Sequence, residues 1–244
     1  MDDAQTAVQK QPESAQVSTR GPRPVLPTLL ASGDRLTRAE FHRRYEAMPE
    51  TVQAELIEGV VYVSSPLRAK SHGEPHHKMS GWLFIYLASS PGLSVADNAT
   101  VILDPDNEVQ PDLVMRIDAA AGGGSRLNDD DYVEGPPELI VEIAASCASY
   151  DLHDKKNAYR RNGVQEYLVW RVLDGAIDWW ELVEGVYVPL PADETGIVCS
   201  HVFPSLCLDV TAMLAGDLAR VMAVQQERLG STEHAAFAAR LGSG

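Results

Sequence analysis

Three side chains in this sequence have the makings of a hydrolytic centre: Asp112, Glu142 and Lys155. Asp112 stands in Val109-Gln110-Pro111-Asp112-Leu113-Val114 and Glu142 in Leu139-Ile140-Val141-Glu142-Ile143-Ala144. Lys155 follows in Asp151-Leu152-His153-Asp154-Lys155-Lys156-Asn157-Ala158-Tyr159. An acid inside a Val/Ile/Leu run is costly unless a cation or hydrogen bonds satisfy it. Two carboxylates sharing a divalent metal, with a lysine beside them, are the minimal kit of a metal-dependent phosphodiester hydrolase. Mg²⁺ (or Mn²⁺) prefers hard oxygen ligands, here Asp112 and Glu142, with the Ile143 carbonyl as a further donor. The lysine would face the charge developing on the phosphoryl group or help to position water. Tyr159 lies one helical turn beyond Lys155 and shares its face. An acid beside a proline is also an ordinary turn residue, so Asp112 has a plain reading. Glu142 is harder to dismiss, because buried glutamates are rare unless paired.

Supporting residues follow the same logic. Glu55 precedes a strand and offers a third carboxylate, or a surface acid. His72 and His76 are four apart, but Pro75 between them disturbs a zinc pair, and His72 near the carboxylates is the better reading. Lys156 and Arg160 are candidate phosphate contacts; a solvated helix face is the alternative. Trp170, Trp179 and Trp180 read as sheet packing rather than base-stacking platforms.

Periodicity supplies the elements that must hold these groups. Residues 1–33 are polar and aperiodic and read as a disordered arm. Thr37-Arg38-Ala39-Glu40 is a capping box, with Thr37 as N-cap and Glu40 reaching back. Residues 54–64 read as a hairpin turning at Glu58-Gly59, and 71–88 as a helix with Met79, Trp82, Leu83 and Tyr86 on one face. Strands follow at 93–95, 99–103 and 111–117, the last carrying Asp112. Residues 122–131 read as a flexible acidic loop; its glycines lack the GK[ST] of a phosphate cradle. Residues 137–144 barely alternate, which predicts a central strand covered on both faces. A helix over 151–161 ends at Asn162-Gly163. Strands at 166–172, 177–183 and 186–190 come next, the last two joined at Glu184-Gly185. Residues 211–240 read as helical, with Met213, Leu214, Leu218, Val221 and Met222 on one side. The order predicts an α/β fold, a mixed β-sheet flanked by helices.

Composition narrows the function classes. The 244 residues are 45% apolar and carry a formal net charge of −15. That excludes a protein that coats nucleic acid by charge alone, because such binding runs on Lys and Arg. It leaves room for an enzyme with a locally basic site. The three cysteines include no CxxC pair, which predicts buried free thiols in a reducing cytoplasm. No apolar run reaches the ~20 residues of a membrane span, and the N-terminus lacks a secretory h-region.

The motifs also resemble a known family. Glu55-Leu56-Ile57-Glu58-Gly59, His72, Pro111-Asp112-Leu113, Leu139-Ile140-Val141-Glu142-Ile143 and Asp151, Lys155, Tyr159 with Gly163-Val164-Gln165-Glu166-Tyr167-Leu168-Val169 look like the Uma2 family (also called DUF820). That family is described as restriction endonuclease-like, with a fold similar to the PD-(D/E)XK nucleases. The resemblance spans residues 36–210 and leaves 211–244 as a helical extension. It implies that Asp112 and Glu142 are the metal-binding acids. The superfamily's lysine two residues after the second acid is missing at Ala144, and the resemblance implies that Lys155 replaces it from the following helix. Glu55 and His72 match family positions as well. Trp170 departs from the family pattern, which has Asp there, as do Ala145 and Ala148, where Ser and Pro are usual.

Two functions compete on this reading. One is a Mg²⁺-dependent DNA endonuclease, with a homodimer through the C-terminal helix joining two basic faces. The other is a non-catalytic nuclease-fold module that binds a protein or nucleic-acid partner.

Overall fold

Two acid–glycine pairs turn the chain tightly enough to build its hairpins. Glu58 and Gly59 have φ of 51° and 72°, and Glu184 and Gly185 have 50° and 80°, the left-handed pairing that two-residue turns require. The computed structural model describes residues 29–49, 51–64, 67–145 and 150–242. The arm expected over 1–33 lies outside them except for its last five residues. There Leu30 is buried with Phe41, Leu56 and Val61, and the Gly33 amide donates to the Val61 carbonyl at 2.8 Å.

Helix α1 (Arg38–Tyr45) starts as predicted, with the Thr37 hydroxyl accepting from the Glu40 amide. The second half of the capping box does not form. The Glu40 carboxylate turns forward to Arg43 and Arg44, at 2.7 and 2.6 Å, because two cations one turn ahead outcompete a neutral amide. Strands β1 (Ala54–Ile57) and β2 (Val60–Val63) form the first hairpin. Helix α2 (Glu74–Leu87) buries Met79, Trp82, Leu83 and Tyr86, with Pro75 in its first turn. Strands β3 (Leu93–Asp97), β4 (Val101–Asp104), β5 (Asn107–Val109) and β6 (Leu113–Ile117) follow. The segment expected as a flexible loop instead holds a short hairpin, β7 (Arg126–Leu127) and β8 (Val133–Glu134). Arg126 and Glu134 pair across it at 2.7 Å. Two-residue strands leave too little alternation to read in sequence. Strand β9 (Leu139–Ala144), helix α3 (Lys156–Asn162), and strands β10 (Glu166–Arg171), β11 (Ala176–Val183) and β12 (Val186–Pro189) complete the predicted series.

The described residues form two large mixed sheets flanked by helices. The larger has the order β12-β11-β10-β9-β6-β3, and the second the order β2-β1-β5-β4-β8-β7. Strand β9 is central in the larger sheet, parallel to β10 and antiparallel to β6. Its odd-numbered residues Leu139, Val141 and Ile143 pack with Trp82, Leu83 and Leu168. The even-numbered Ile140 and Ala144 pack on the opposite face with Val101, Val109, Ala158 and Tyr159. Both faces of β9 are therefore covered, which is why the strand lacks alternation.

Two features after β12 depart from expectation. Strands β13 (Ile197–Cys199) and β14 (Cys207–Asp209) form a small separate ladder in which Cys199 and Cys207 stand in register. They are joined as a disulfide rather than left as free thiols; register across a ladder cannot be counted from spacing. Cys147 lies outside the described residues. The 211–240 segment is three helices, α4 (Val210–Ala215), α5 (Leu218–Leu229) and α6 (Thr232–Leu241), not one. Gly216 ends α4 at φ 76°, and Asp217 caps α5. That break resets the helical phase, so Met213 and Val221 are buried while Leu214, Leu218 and Met222 are exposed. Val221, Phe237 and Leu241 join the core beside α2. Among the described residues no helix is long and apolar enough to cross a membrane.

Leu168 lies in β10 between β9 and β11 with no exposed surface. Leu168→Ala is expected to lower stability by about 2–5 kcal/mol through lost transfer energy and a residual cavity. Urea unfolding monitored by tryptophan fluorescence checks this.

Candidate active site

Strand register brings the two acids together. Strands β6 and β9 run antiparallel with Leu113 opposite Val141, and one step further sets Asp112 across from Glu142. Asp112 is fixed at both oxygens. Its Oδ2 accepts from the Ile143 amide at 2.7 Å, and its Oδ1 lies 2.8 Å from His72 Nε2. His72 belongs to a π-helical turn (Ala69–Gly73) that leads into α2. His76, one turn on, donates from Nε2 to the Asp112 carbonyl at 3.0 Å. Both histidines therefore hold Asp112, and they do not form a zinc pair.

Glu142 is the polar member of an otherwise apolar row on β9, on the face that α3 covers. A second π-helical turn (Asp151–Lys155) precedes α3 and carries Lys155 onto that face. Lys155 Nζ lies 2.9 Å from Glu142 Oε1, 3.0 Å from Glu55 Oε1 and 3.9 Å from Asp151 Oδ1. Tyr159 donates its hydroxyl to the same Glu142 oxygen at 2.8 Å. Glu55, on β1, also accepts from the Gln110 amide at 2.8 Å, which ties the second sheet to the cluster. The structure thus gathers Asp112, Glu142, Lys155, Glu55, His72 and Tyr159. It adds Asp151, whose match to the family motif and place four residues before Lys155 were the available signals.

Acids outnumber cations here. Glu55, Asp112, Glu142 and Asp151 are all buried, facing buried Lys155 and His72. Burial alone would lower the Lys155 ammonium, but Glu142, Glu55 and Asp151 outweigh it and hold it well above the ordinary range. Burial pushes Glu142 well up, because it shares that lysine with other acids and has Asp151, Asp112 and Glu55 nearby. Burial would raise Asp112 too, but the His72 bond and charge and the Ile143 amide bring it below its usual value. The same Asp112 bond raises His72. Tyr159 is pushed up by burial and by Glu142.

Glu55, His72, Asp112, Glu142, Asp151 and Lys155 line a cleft of about 880 Å³. Tyr62, Leu67, Arg68, Tyr150 and Leu173 also line it. The Tyr150 hydroxyl is buried without a hydrogen-bond partner, and Lys155 Nζ sits 5.7 Å from its ring centroid. Nothing in the sequence marked Tyr150, because its role depends on where the turn before α3 places it. Lys156 and Arg160 are not brought to the cleft. Lys156 Nζ lies 3.3 Å over the Trp180 ring, and Arg160 donates to the Gly185 carbonyl at 2.9 Å. Both thus reach the β11–β12 hairpin, on a helix face other than the one carrying Lys155. Trp170, Trp179 and Trp180 are buried, as packing residues should be.

Among the described residues no group of three His, Cys, Asp or Glu stands ready as a metal cage. Glu55 and Glu142 both aim an oxygen at Lys155, and Asp112 engages His72 and Ile143. The donor chemistry nevertheless fits a hard divalent cation: the oxygens are carboxylate, the site is a cleft, and its negative charge is in excess.

Comparison with known proteins agrees with this architecture. A family model, Uma2, described as "Putative restriction endonuclease", matches residues 38–211. The crystal structure of "a putative nuclease belonging to DUF820" from Anabaena variabilis ATCC 29413 superposes with a TM-score of 0.56 at 16% identity. The match covers 74% of this chain and 98% of that one, and it establishes likeness of fold. Among curated proteins none matches this chain.

Two outcomes follow from the cluster. Lys155→Met leaves buried carboxylates without their shared cation and is expected to cost about 3–5 kcal/mol at neutral pH. The loss should shrink on acidification as the acids take up protons, as urea titrations at several pH values would show. Burial pushes Asp151 up to about 6 from its usual 3.8. Between those values the folded state keeps a proton that the unfolded chain releases, so stability falls as pH rises through this window. Asp151→Asn is expected to flatten that fall in a plot of unfolding free energy against pH.

Proposed function

This chain belongs to the Uma2 family, and from that premise and its buried carboxylate–lysine cluster we propose that it is a Mg²⁺- or Mn²⁺-dependent endonuclease that hydrolyses phosphodiester bonds in DNA. The observation that carries the reading is Lys155 Nζ at 2.9 Å from Glu142, with Asp112 held across the same strand pair. Asp112 and Glu142 are the residues that would hold the cation. A bound divalent ion supplies Lewis-acid polarisation of the phosphoryl oxygen and lowers the pKa of its water.

The chain's own groups do the rest. Lys155 keeps a full positive charge at the cleft floor, where charge builds on the phosphoryl oxygens. The low-dielectric floor strengthens that interaction. His72 and the Ile143 amide keep Asp112 ionised and fixed, and Tyr159 orients Glu142. Tyr150 offers an unpartnered hydroxyl as a donor to a phosphate oxygen. Arg68, at the cleft, takes over the phosphate-contact role read for Lys156 and Arg160. Ala144 lies on the same face of β9 as Glu142, so on this reading a lysine reaching that face from the π-helical turn before α3 replaces one on the strand. On this reading the site is a variant of the PD-(D/E)XK arrangement.

The second reading, a non-catalytic binding module, draws support from the pairing itself. Lys155 already neutralises the oxygens of Glu142 and Glu55, which gives the cluster a structural use without any metal.

Cleavage of DNA with millimolar Mg²⁺ or Mn²⁺ separates the two. Glu142→Ala and Lys155→Ala are each expected to lower the rate at least about 100-fold, the scale of losing a preorganised charge at the transition state. Mg²⁺ should raise the thermal midpoint of the native chain and not that of Glu142→Ala. Full cutting by Glu142→Ala would sink the endonuclease assignment.

A further inference from the structure

We propose that the cleft takes an unpaired DNA strand, one splayed nucleotide at a time, in preference to intact duplex. The inference rests on the phosphodiesterase reading of the same floor and adds the form of the substrate.

Depth is the first observation. Lys155, Glu142, Glu55 and Asp112 are 4, 3, 7 and 9% exposed, so a phosphate must descend into the cleft to meet them. Its volume of about 880 Å³ is that of a small-ligand pocket, not of an open channel for a stiff double helix. Charge is the second. Duplex binding depends on many lysines and arginines that neutralise phosphates and release counterions. Among the described lining residues, only Arg68, Lys155 and His72 are basic, against Glu55, Asp112, Glu142 and Asp151. The whole chain is acidic at −15. Among the described residues such a cleft offers a duplex backbone few cations.

The rim supplies a different attraction. Leu173, in the β10–β11 turn, is 75% exposed, and Leu67, ahead of the α2 turn, is 58% exposed. Both line the cleft, as do Tyr62 and Tyr150, whose ring centroids are 4.2 Å apart. Two exposed leucines, with a tyrosine pair further along the lining, over a polar floor suit a base that has left its stack. Single-strand sites join a few backbone cations, here Arg68 and Lys155, to stacking that every base can satisfy. A paired base hides those faces, so duplex gains nothing from this rim.

The test uses the full chain and a fluorescently labelled oligonucleotide, either single-stranded or annealed to its complement. Anisotropy is read without divalent metal, and cleavage with Mg²⁺ or Mn²⁺. The single strand should bind roughly tenfold tighter than the duplex and be cut faster. Leu173→Asp and Leu67→Asp, both at exposed positions, should each weaken single-strand binding about tenfold while circular dichroism shows an intact fold. Val186→Asp, on the remote β12 edge, should leave binding unchanged. Duplex binding as tight as single-strand binding, or single-strand binding unmoved by both leucine variants, overturns the proposal. Hydrolysis of bis-p-nitrophenyl phosphate is read in parallel. If this small diester is cut while the single strand has no advantage, the strand preference alone falls. If no diester is cut while the single strand still binds better and both leucine variants weaken it, the phosphodiesterase reading falls and the preference of the cleft stands.

Discussion

One ammonium group organises this protein's polar interior. Lys155 Nζ sits within 3.0 Å of carboxylates from two different sheets, Glu142 on β9 and Glu55 on β1. A charged lysine is rarely buried unless paired, and buried glutamates are under the same constraint. Each group makes the burial of the others tolerable. The helix carrying Lys155, the central strand carrying Glu142 and the hairpin carrying Glu55 are therefore tied at one point. Pull any one away and the others are left charged in a low-dielectric interior. The cluster holds four buried acids, Glu55, Asp112, Glu142 and Asp151, against Lys155 and His72.

The sheet explains how such a cluster can exist without disrupting the core. Strand β9 serves two hydrophobic layers at once, its odd-numbered residues one and its even-numbered residues the other. Glu142 replaces one apolar side chain in the even row only, so the odd row of Leu139, Val141 and Ile143 stays apolar. On the even face, Tyr159 and Lys155 arrive from one helix and satisfy the same carboxylate oxygen. Asp112 lies just before the start of β6 rather than within it, where the Ile143 amide and His72 reach its two oxygens. The pair is asymmetric as a result: one acid is fixed and kept ionised, while the other shares its cation.

Local patterns made much of this legible. The uninterrupted run around Glu142 marked a strand covered on both faces. The acid–glycine pairs marked both hairpins, because few residues tolerate the backbone such turns require. The helix carrying Lys155 announced its end at Gly163, whose φ is 83°. Where signals were short or phase-dependent, reading failed. The β7–β8 hairpin is too brief to alternate, and the C-terminal helices change phase at Gly216. The Cys199–Cys207 pair depends on register between strands that the pattern does not reveal.

By itself the sequence determined which residues must be satisfied inside the protein. A glutamate within Leu-Ile-Val-Glu-Ile, an aspartate leading a strand and a lysine on the next helix are demands that composition and periodicity state openly. It determined the hairpins and the central strand, because those depend on backbone preferences spanning a few residues. Only the tertiary structure decided who answers each demand. It gave Lys155 to Glu142 and Glu55 together, gave both histidines to Asp112, added Asp151 and Tyr150, and turned Lys156 and Arg160 to the β11–β12 hairpin. Partners across a sheet or between sheets are set by register and by the rotation of a helix about its axis. Those quantities arise only when the elements pack.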